Sequence, residues 1–197
     1  MDDGFRSGRL EVIAGPMFAG KSEELVRRVR RAQIARRGVL VVSHAMDTRR
    51  GSGVVASHSG LEVESVVASS AEEIPALVTP ATELVAVDEA QFFGVALVPV
   101  ATVLADSGLV VVVAGLSVTF DARPFEPLPA LMALAESVVK LTAVCAVCGA
   151  DAAFHVRTAP LPVDDDGPAG SGSSLTPVPA HVGGADLYEA RCRRHRA

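Results

Sequence analysis

The sequence predicts an α/β fold: a parallel sheet with helices on both faces, followed by a smaller C-terminal module of different character. Three observations carry that expectation. Short apolar runs alternate with helix-forming stretches, and strands apolar at nearly every position are those buried on both faces. A glycine-rich octapeptide, Gly15-Pro16-Met17-Phe18-Ala19-Gly20-Lys21-Ser22, stands between the first such run and the first helix. From Cys145 onward the long apolar runs stop, and paired cysteines and histidine appear instead.

The elements follow in order. Leu10, Val12, Ile13 and Ala14 form a strand, and a helix starts near Glu23. Gly38 breaks that helix, and Val39–Val42 is a buried strand. Residues 47–60 are polar and glycine-rich and predict a loop. Ser70 and Glu73 have the spacing of a capping box, opening a short helix that stops before Pro80. Leu84–Val87 is a second central strand and runs into Asp88-Glu89. A helix over Ala101–Asp106, closed by Gly108, leads to the strand Leu109–Ala114. A further helix near Leu128–Glu136 precedes the apolar run Val138–Val144. The tract Asp164–Pro177 is rich in Gly, Ser, Pro and acid and predicts a mobile insertion, with order resuming near Gly183-Gly184. The expected division is 1–140 for the α/β domain and 141–197 for the appended module.

Composition narrows the function classes. A chain of 197 residues buries about 70% of its unfolded surface and needs no disulfide staples. Apolar residues make up 49% and mean hydropathy is +0.36, but the longest apolar run, Leu109–Leu116, is too short to span a bilayer. The N-terminus lacks the basic-then-apolar layout of a secretory signal, so the expected location is cytoplasmic, with no membrane partner. A net charge of −5 argues against a nucleic-acid binder. The one basic cluster, Arg27, Arg28, Arg30, Arg31, Arg36 and Arg37, is read as a solvated helix face.

Three constellations carry chemistry. Residues 15–22 match G-x-x-x-x-G-K-[ST]. In that loop glycines let backbone N–H groups turn around a polyphosphate, the lysine brings a mobile positive charge, and the serine hydroxyl can reach Mg²⁺. Asp88-Glu89, at the end of an apolar strand, places carboxylates where such a site holds its metal. If the extended backbone continued, the two acids would point to opposite sides, one to metal and one to a substrate hydroxyl. Cys145-x-x-Cys148 and Cys192-x-x-His195 supply two ligand pairs from two tight turns, the pattern of a tetrahedral zinc site. An odd number of cysteines does not build a disulfide framework. His44, His58, His155 and His181 are read as surface or hydrogen-bonding residues. Most of the seven Phe belong to the core, whereas Tyr188 sits where its ring suits a planar ligand.

Taken together the chain resembles the type II (cytosolic-type) thymidine kinases. The matching segments are GPMFAGKS (15–22), RRVRRAQ (27–33), DTR (47–49), VDEAQFF (87–93), AGL…TF…PF (114–125), LAESVVKLTAVC (134–145) and GGADLYEARC (183–192). The resemblance implies a P-loop NTPase-type sheet and a zinc-binding domain carrying a lasso loop that closes on the nucleoside. It implies transfer of the γ-phosphate of ATP to the 5′-hydroxyl of thymidine, with deoxyuridine a weaker substrate. Glu89 would be the general base. Gly15, Pro16, Met17, Phe18, Ala19, Gly20, Lys21, Ser22, Asp47, Arg49, Asp88 and Gln91 would bind ATP, with Ser22 and Asp88 holding Mg²⁺. Met17, Phe92, Leu116, Phe120, Phe125, Val182, Gly183 and Tyr188 would surround thymidine. A homotetramer and feedback inhibition by thymidine triphosphate are expected by the same analogy.

The sequence departs from the family at a few places. Ser117-Val118 replaces an Asp-containing pair, which predicts a looser loop around Phe120. His155 replaces a small hydroxyl residue near thymine, and Pro179-Ala180-His181 replaces more apolar residues. Two rival readings remain open. One is a P-loop ATPase switch whose zinc ribbon docks a partner, and the other is a nucleotide binder with little catalysis.

Overall fold

A computed structural model describes residues 8–47, 53–56, 62–158 and 187–196. Its centre is a six-stranded sheet built from β1 (Arg9–Gly15), β2 (Gly38–His44), β5 (Val66–Ala68), β6 (Thr82–Val87), β7 (Val110–Leu116) and β8 (Ser137–Lys140), in the order β5-β2-β6-β7-β1-β8. Every pairing in it is parallel. Successive side chains on a strand point to opposite faces, so each central strand feeds two cores. Leu10, Val12, Val85, Val87, Val111 and Val113 face α3 (Leu97–Asp106) and α4 (Leu128–Leu134). Ile13, Val41, Ala86, Val112 and Ala114 face α1 (Lys21–Ile34) and the hairpin β3–β4 (Val54–Ala56, Glu62–Glu64).

Helix α1 turns Leu25, Val26, Val29 and Ala32 inward at helical spacing and leaves Arg27, Arg30 and Arg31 in solvent. The basic face is solvated as read from the sequence, but Arg28 is not free. It reaches Glu24 one turn earlier at 2.9 Å and also pairs with the buried Glu11 of β1. The helix ends at Ile34; Arg36, just beyond it, is left-handed at φ 58, and the Arg37 N–H closes on the Ala32 carbonyl at 3.0 Å. Gly38 opens β2 instead of breaking the helix.

Other boundaries moved for physical reasons. The loop expected over 47–60 contains β3, because Val55 and Val63 bury against α1. Ser70 caps, without its side chain, a short 3₁₀ turn that leads into α2 (Ile74–Leu77), and Glu73 reaches back to the Ser69 N–H at 2.9 Å. Only half of the capping box forms, one residue early. Helix α3 begins four residues before the expected Ala101, because Leu97 belongs to the core. The run Val138–Val144 splits into β8, at the sheet edge, and β9 (Ala143–Val144), which pairs antiparallel with β10 (Asp151–Ala152). Strands β11 (Phe154–Arg157) and β12 (Tyr188–Arg191) form a second small ladder. Among the described residues no helix is long and apolar enough to cross a membrane.

Candidate functional site

Because β1, β6 and β7 are parallel neighbours, their C-terminal ends open on one edge of the sheet, where α/β proteins bind ligands. Strand β1 delivers residues 15–22 there. Phe18 (φ 66) and Gly20 (φ 80) are left-handed, the conformation that aims backbone N–H groups into an anion-binding concavity. A Cβ at Gly20 would meet nothing within 4 Å; glycine is needed there for backbone sign, not for space. Helix α1 starts at Lys21, and Ser22 is its second residue. Lys21 is 8% exposed and donates its ammonium to the Pro16 carbonyl at 2.7 Å.

Strand β6 delivers the acids. The Asp88 N–H still bonds the Val42 carbonyl at 3.0 Å, so the sheet continues to that residue. Glu89 then adopts φ 49 and ψ 45. The extended backbone does not continue, and strand alternation therefore does not set where Glu89 points. A left-handed non-glycine residue costs roughly 1–2 kcal/mol, and here the turn is braced on both sides. The Glu89 N–H donates to the Asp88 carboxylate at 3.0 Å. The Gln91 amide Nε2 donates to the Glu89 carboxylate, while its Oε1 accepts the Leu116 N–H at 3.0 Å. Asp88 and Glu89 are 5% and 8% exposed, and Gln91 is fully buried.

Beside the phosphate loop an apolar wall gathers Met17, Leu116, Phe125 and Tyr188, with Phe18, Phe120 and Leu187 packed against it. The Phe120 and Tyr188 rings lie 6.4 Å apart and tilted by 45°. Phe92 does not join this cluster; it lies beside His44, with ring centroids 5.9 Å apart. Tyr188 is buried, which pushes its phenol up against the opposing pull of Arg157, whose guanidinium lies 5.8 Å from the ring centroid.

His155 packs edge-on to Tyr188 at 5.8 Å, and His44 accepts the Met46 N–H at 3.0 Å. Both histidines are buried, so neither is a surface residue, and desolvation lowers the His44 pKa. The loop bearing Phe120 is tied rather than loose. Thr119 and Arg123 exchange backbone and side-chain hydrogen bonds, Arg123 pairs with Asp121 at 2.9 Å, and Val118 bridges Pro124.

The four candidate metal ligands converge. The ligand atoms of Cys145, Cys148, Cys192 and His195 all lie within 4.8 Å of one another, and none of the cysteines is in a disulfide. Cys148 and Cys192 sulfurs are 3.8 Å apart, and His195 Nδ1 lies 3.8 Å from Cys145 and 3.3 Å from Cys192. Tetrahedral zinc with Zn–S of about 2.3 Å needs sulfur–sulfur edges of about 3.8 Å. The donor set fits zinc. Burial opposes ionisation of Cys145, but hydrogen bonds from the Cys192, Val147 and Cys148 backbones and from His195 bring its thiol down to about 5. At Cys148 the Ala150 backbone favours the thiolate, yet burial and the neighbouring sulfurs push it up. Four donors this close favour a divalent cation, which removes that conflict.

Two relationships were not readable from the sequence. Phe18 and Ala19 of the phosphate loop pack on the apolar core of the zinc module, formed by Ala143, Cys145, Ala152, Ala190 and Cys192. Gln91 links the acid pair to β7. The sequence signals for both were weak: a bulky aromatic inside a glycine-rich loop, and one amide after two acids. Arg49, Val182, Gly183, His58, His181 and the tract 164–177 lie outside the described residues.

A family model described as thymidine kinase matches residues 8–196. A protein named thymidine kinase from Bdellovibrio bacteriovorus is 47% identical over 188 residues, covering 95% of this chain and 85% of its own. Proteins of the same name from Deinococcus deserti and Deinococcus radiodurans are 45% and 44% identical, covering 97% and 98% of this chain and 95% and 92% of their own. The match runs through the phosphate loop, the acid pair and the Cys/His cluster alike, and the chain belongs to the thymidine kinase family.

Proposed function

We propose that the protein phosphorylates thymidine, moving the γ-phosphoryl group of ATP to the nucleoside 5′-hydroxyl. The observation that carries this is the family match over residues 8–196, which takes in the phosphate loop and the Cys/His cluster together. The roles follow from phosphoryl transfer, which depends on positioning and charge neutralisation more than on covalent chemistry. Residues 15–22 would cradle the ATP phosphates, with Asp47 and Arg49 assigned to ATP by the resemblance. Asp88 and the Ser22 hydroxyl are hard oxygen donors at the same sheet edge and suit Mg²⁺, which when bound neutralises phosphate charge. Glu89 takes the 5′-hydroxyl proton as the sugar oxygen bonds to the γ-phosphorus. The bond from that phosphorus to the bridging oxygen breaks, and ADP leaves. Met17, Leu116, Phe120, Phe125 and Tyr188 supply the apolar wall for the base, with Phe92, Val182 and Gly183 assigned to the same pocket by the resemblance.

The module over 141–197 would close on the nucleoside, anchored by zinc on Cys145, Cys148, Cys192 and His195. Use of deoxyuridine, inhibition by thymidine triphosphate, a homotetramer and a cytoplasmic location belong to the same reading. A coupled ADP-release assay with and without thymidine tests it. Strict dependence on thymidine is the expected result. Thymidine-independent turnover would mark the ATPase switch, and ATP binding without turnover would mark a binding protein; either overturns the kinase reading.

A further inference from the structure

We infer that Gln91 is a positioning residue: it holds the Glu89 carboxylate in register with the wall of the nucleoside pocket. The inference rests on the reading of Glu89 as the base. Glu89 leaves strand β6 in a left-handed conformation, so neither sheet nor helix dictates where its carboxylate points. A side-chain link holds it. Gln91, fully buried two residues later, donates its Nε2 to that carboxylate. Its Oε1 is fixed in turn by the Leu116 N–H at 3.0 Å, at the C-terminal end of β7. Leu116 itself lines the cluster of Met17, Phe125 and Tyr188. The amide is therefore a strut between the proton acceptor and the element that carries the pocket wall.

The surroundings leave that strut little freedom. A Cβ at Gly115 would come within 2.9 Å of Gln91 Oε1, 2.7 Å of Leu128 Cδ2 and 3.2 Å of Ala90 Cβ. Glycine at 115 is what lets the amide lie against β7. A buried side chain hydrogen-bonded at both ends and packed against backbone does not rotate away to meet a nucleotide. Gln91, which the resemblance assigns to ATP, acts here through Glu89.

A double-mutant cycle on the full-length, zinc-loaded protein tests this. Gln91→Met keeps the volume and removes both hydrogen bonds. Gln91→Glu keeps an acceptor for the Leu116 N–H but sets a second carboxylate against Glu89 in place of the donor, and thermal melts of Gln91→Met guard against a folding defect. Both are expected to lower kcat by roughly tenfold to a hundredfold, as small misplacements of a reacting group do, with KM for thymidine and for ATP within about twofold. In a Glu89→Gln background Gln91→Met is expected to add almost nothing, because residues acting as a unit are not additive. Equal losses in both backgrounds, or a raised KM for ATP with kcat kept, overturn the positioning role. A Glu89→Gln enzyme with full kcat instead overturns the assignment of the base.

Discussion

Lys21 donates its ammonium to the carbonyl of Pro16 across 2.7 Å, so the lysine of the glycine-rich loop is held against that loop's own backbone. It is almost wholly buried. A point charge on a flexible stem can move from that carbonyl to a phosphate oxygen without refolding the loop. Lys21→Ala removes the charge and leaves a backbone carbonyl short of one donor. ATP turnover is expected to fall by about two orders of magnitude or more, the scale of losing one charge aimed at developing negative charge. Steady-state kinetics check this, and near-normal turnover would undo the phosphate-loop assignment.

Glu89→Gln tests the proton acceptor directly. The amide keeps the size of the carboxylate but cannot take a proton at neutral pH. The expected kcat is lower by roughly 10²–10⁴, typical for loss of a general base. ATP affinity, measured by calorimetry, is expected to be little changed.

Gly115→Ala reaches the same machinery from outside it. The new methyl would press on Gln91, Leu128 and Ala90, and overpacking of this kind costs about 1–3 kcal/mol. Denaturant unfolding is expected to register that loss and kinetics a reduced kcat. An alanine variant with unchanged stability and rate would mean that the neighbours give way freely.

Cys145→Ser is expected to lose zinc by elemental analysis, with one zinc per chain expected in the parent protein. It is also expected to weaken ATP binding, because Phe18 and Ala19 of the phosphate loop rest on the core that includes Cys145. Zinc loss with ATP affinity intact would show that this packing does not couple the two sites.

Glu24 supplies a pH test of stability. Hydrogen bonds from Arg27 and then Arg28, working against partial burial, bring its carboxyl down from 4.5 to about 2. A carboxyl depressed in the folded state stabilises it above the unfolded value, and that contribution is lost as pH falls through the folded one. Arg27 is well exposed, so Glu24→Gln is expected to cost under about 1 kcal/mol at neutral pH. The gap between variant and parent is expected to narrow as pH drops from 4.5 toward 2, followed by thermal melts. A gap that widens over that interval would contradict the ion-pair account.

The central strands were legible because burial on both faces forces them to be apolar at consecutive positions, as at Val39–Val42 and Leu84–Val87. The ligand pairs around Cys145 and Cys192 were legible because turn geometry ties their spacing to a tetrahedral ion. The short pieces were harder. Strand β3 hides in a polar, glycine-rich stretch because only Val55 and Val63 bury. Helix α3 starts early at Leu97 because the core, not a cap signal, defines its first turn.

By itself the sequence determined the local patterns: a G-x-x-x-x-G-K-S loop at 15–22, acids at 88 and 89, and two pairs of candidate metal ligands, at 145 and 148 and at 192 and 195. These are short-range patterns, dictated by backbone sterics and by the coordination needs of phosphate and metal. Only the tertiary structure decided how they meet. The left-handed turn at Glu89, the amide of Gln91 reaching Leu116, and Phe18 resting on the zinc module all join residues that strand order brings together. Strand order is settled by burying two apolar faces at once, a property of the whole sheet that no single segment carries.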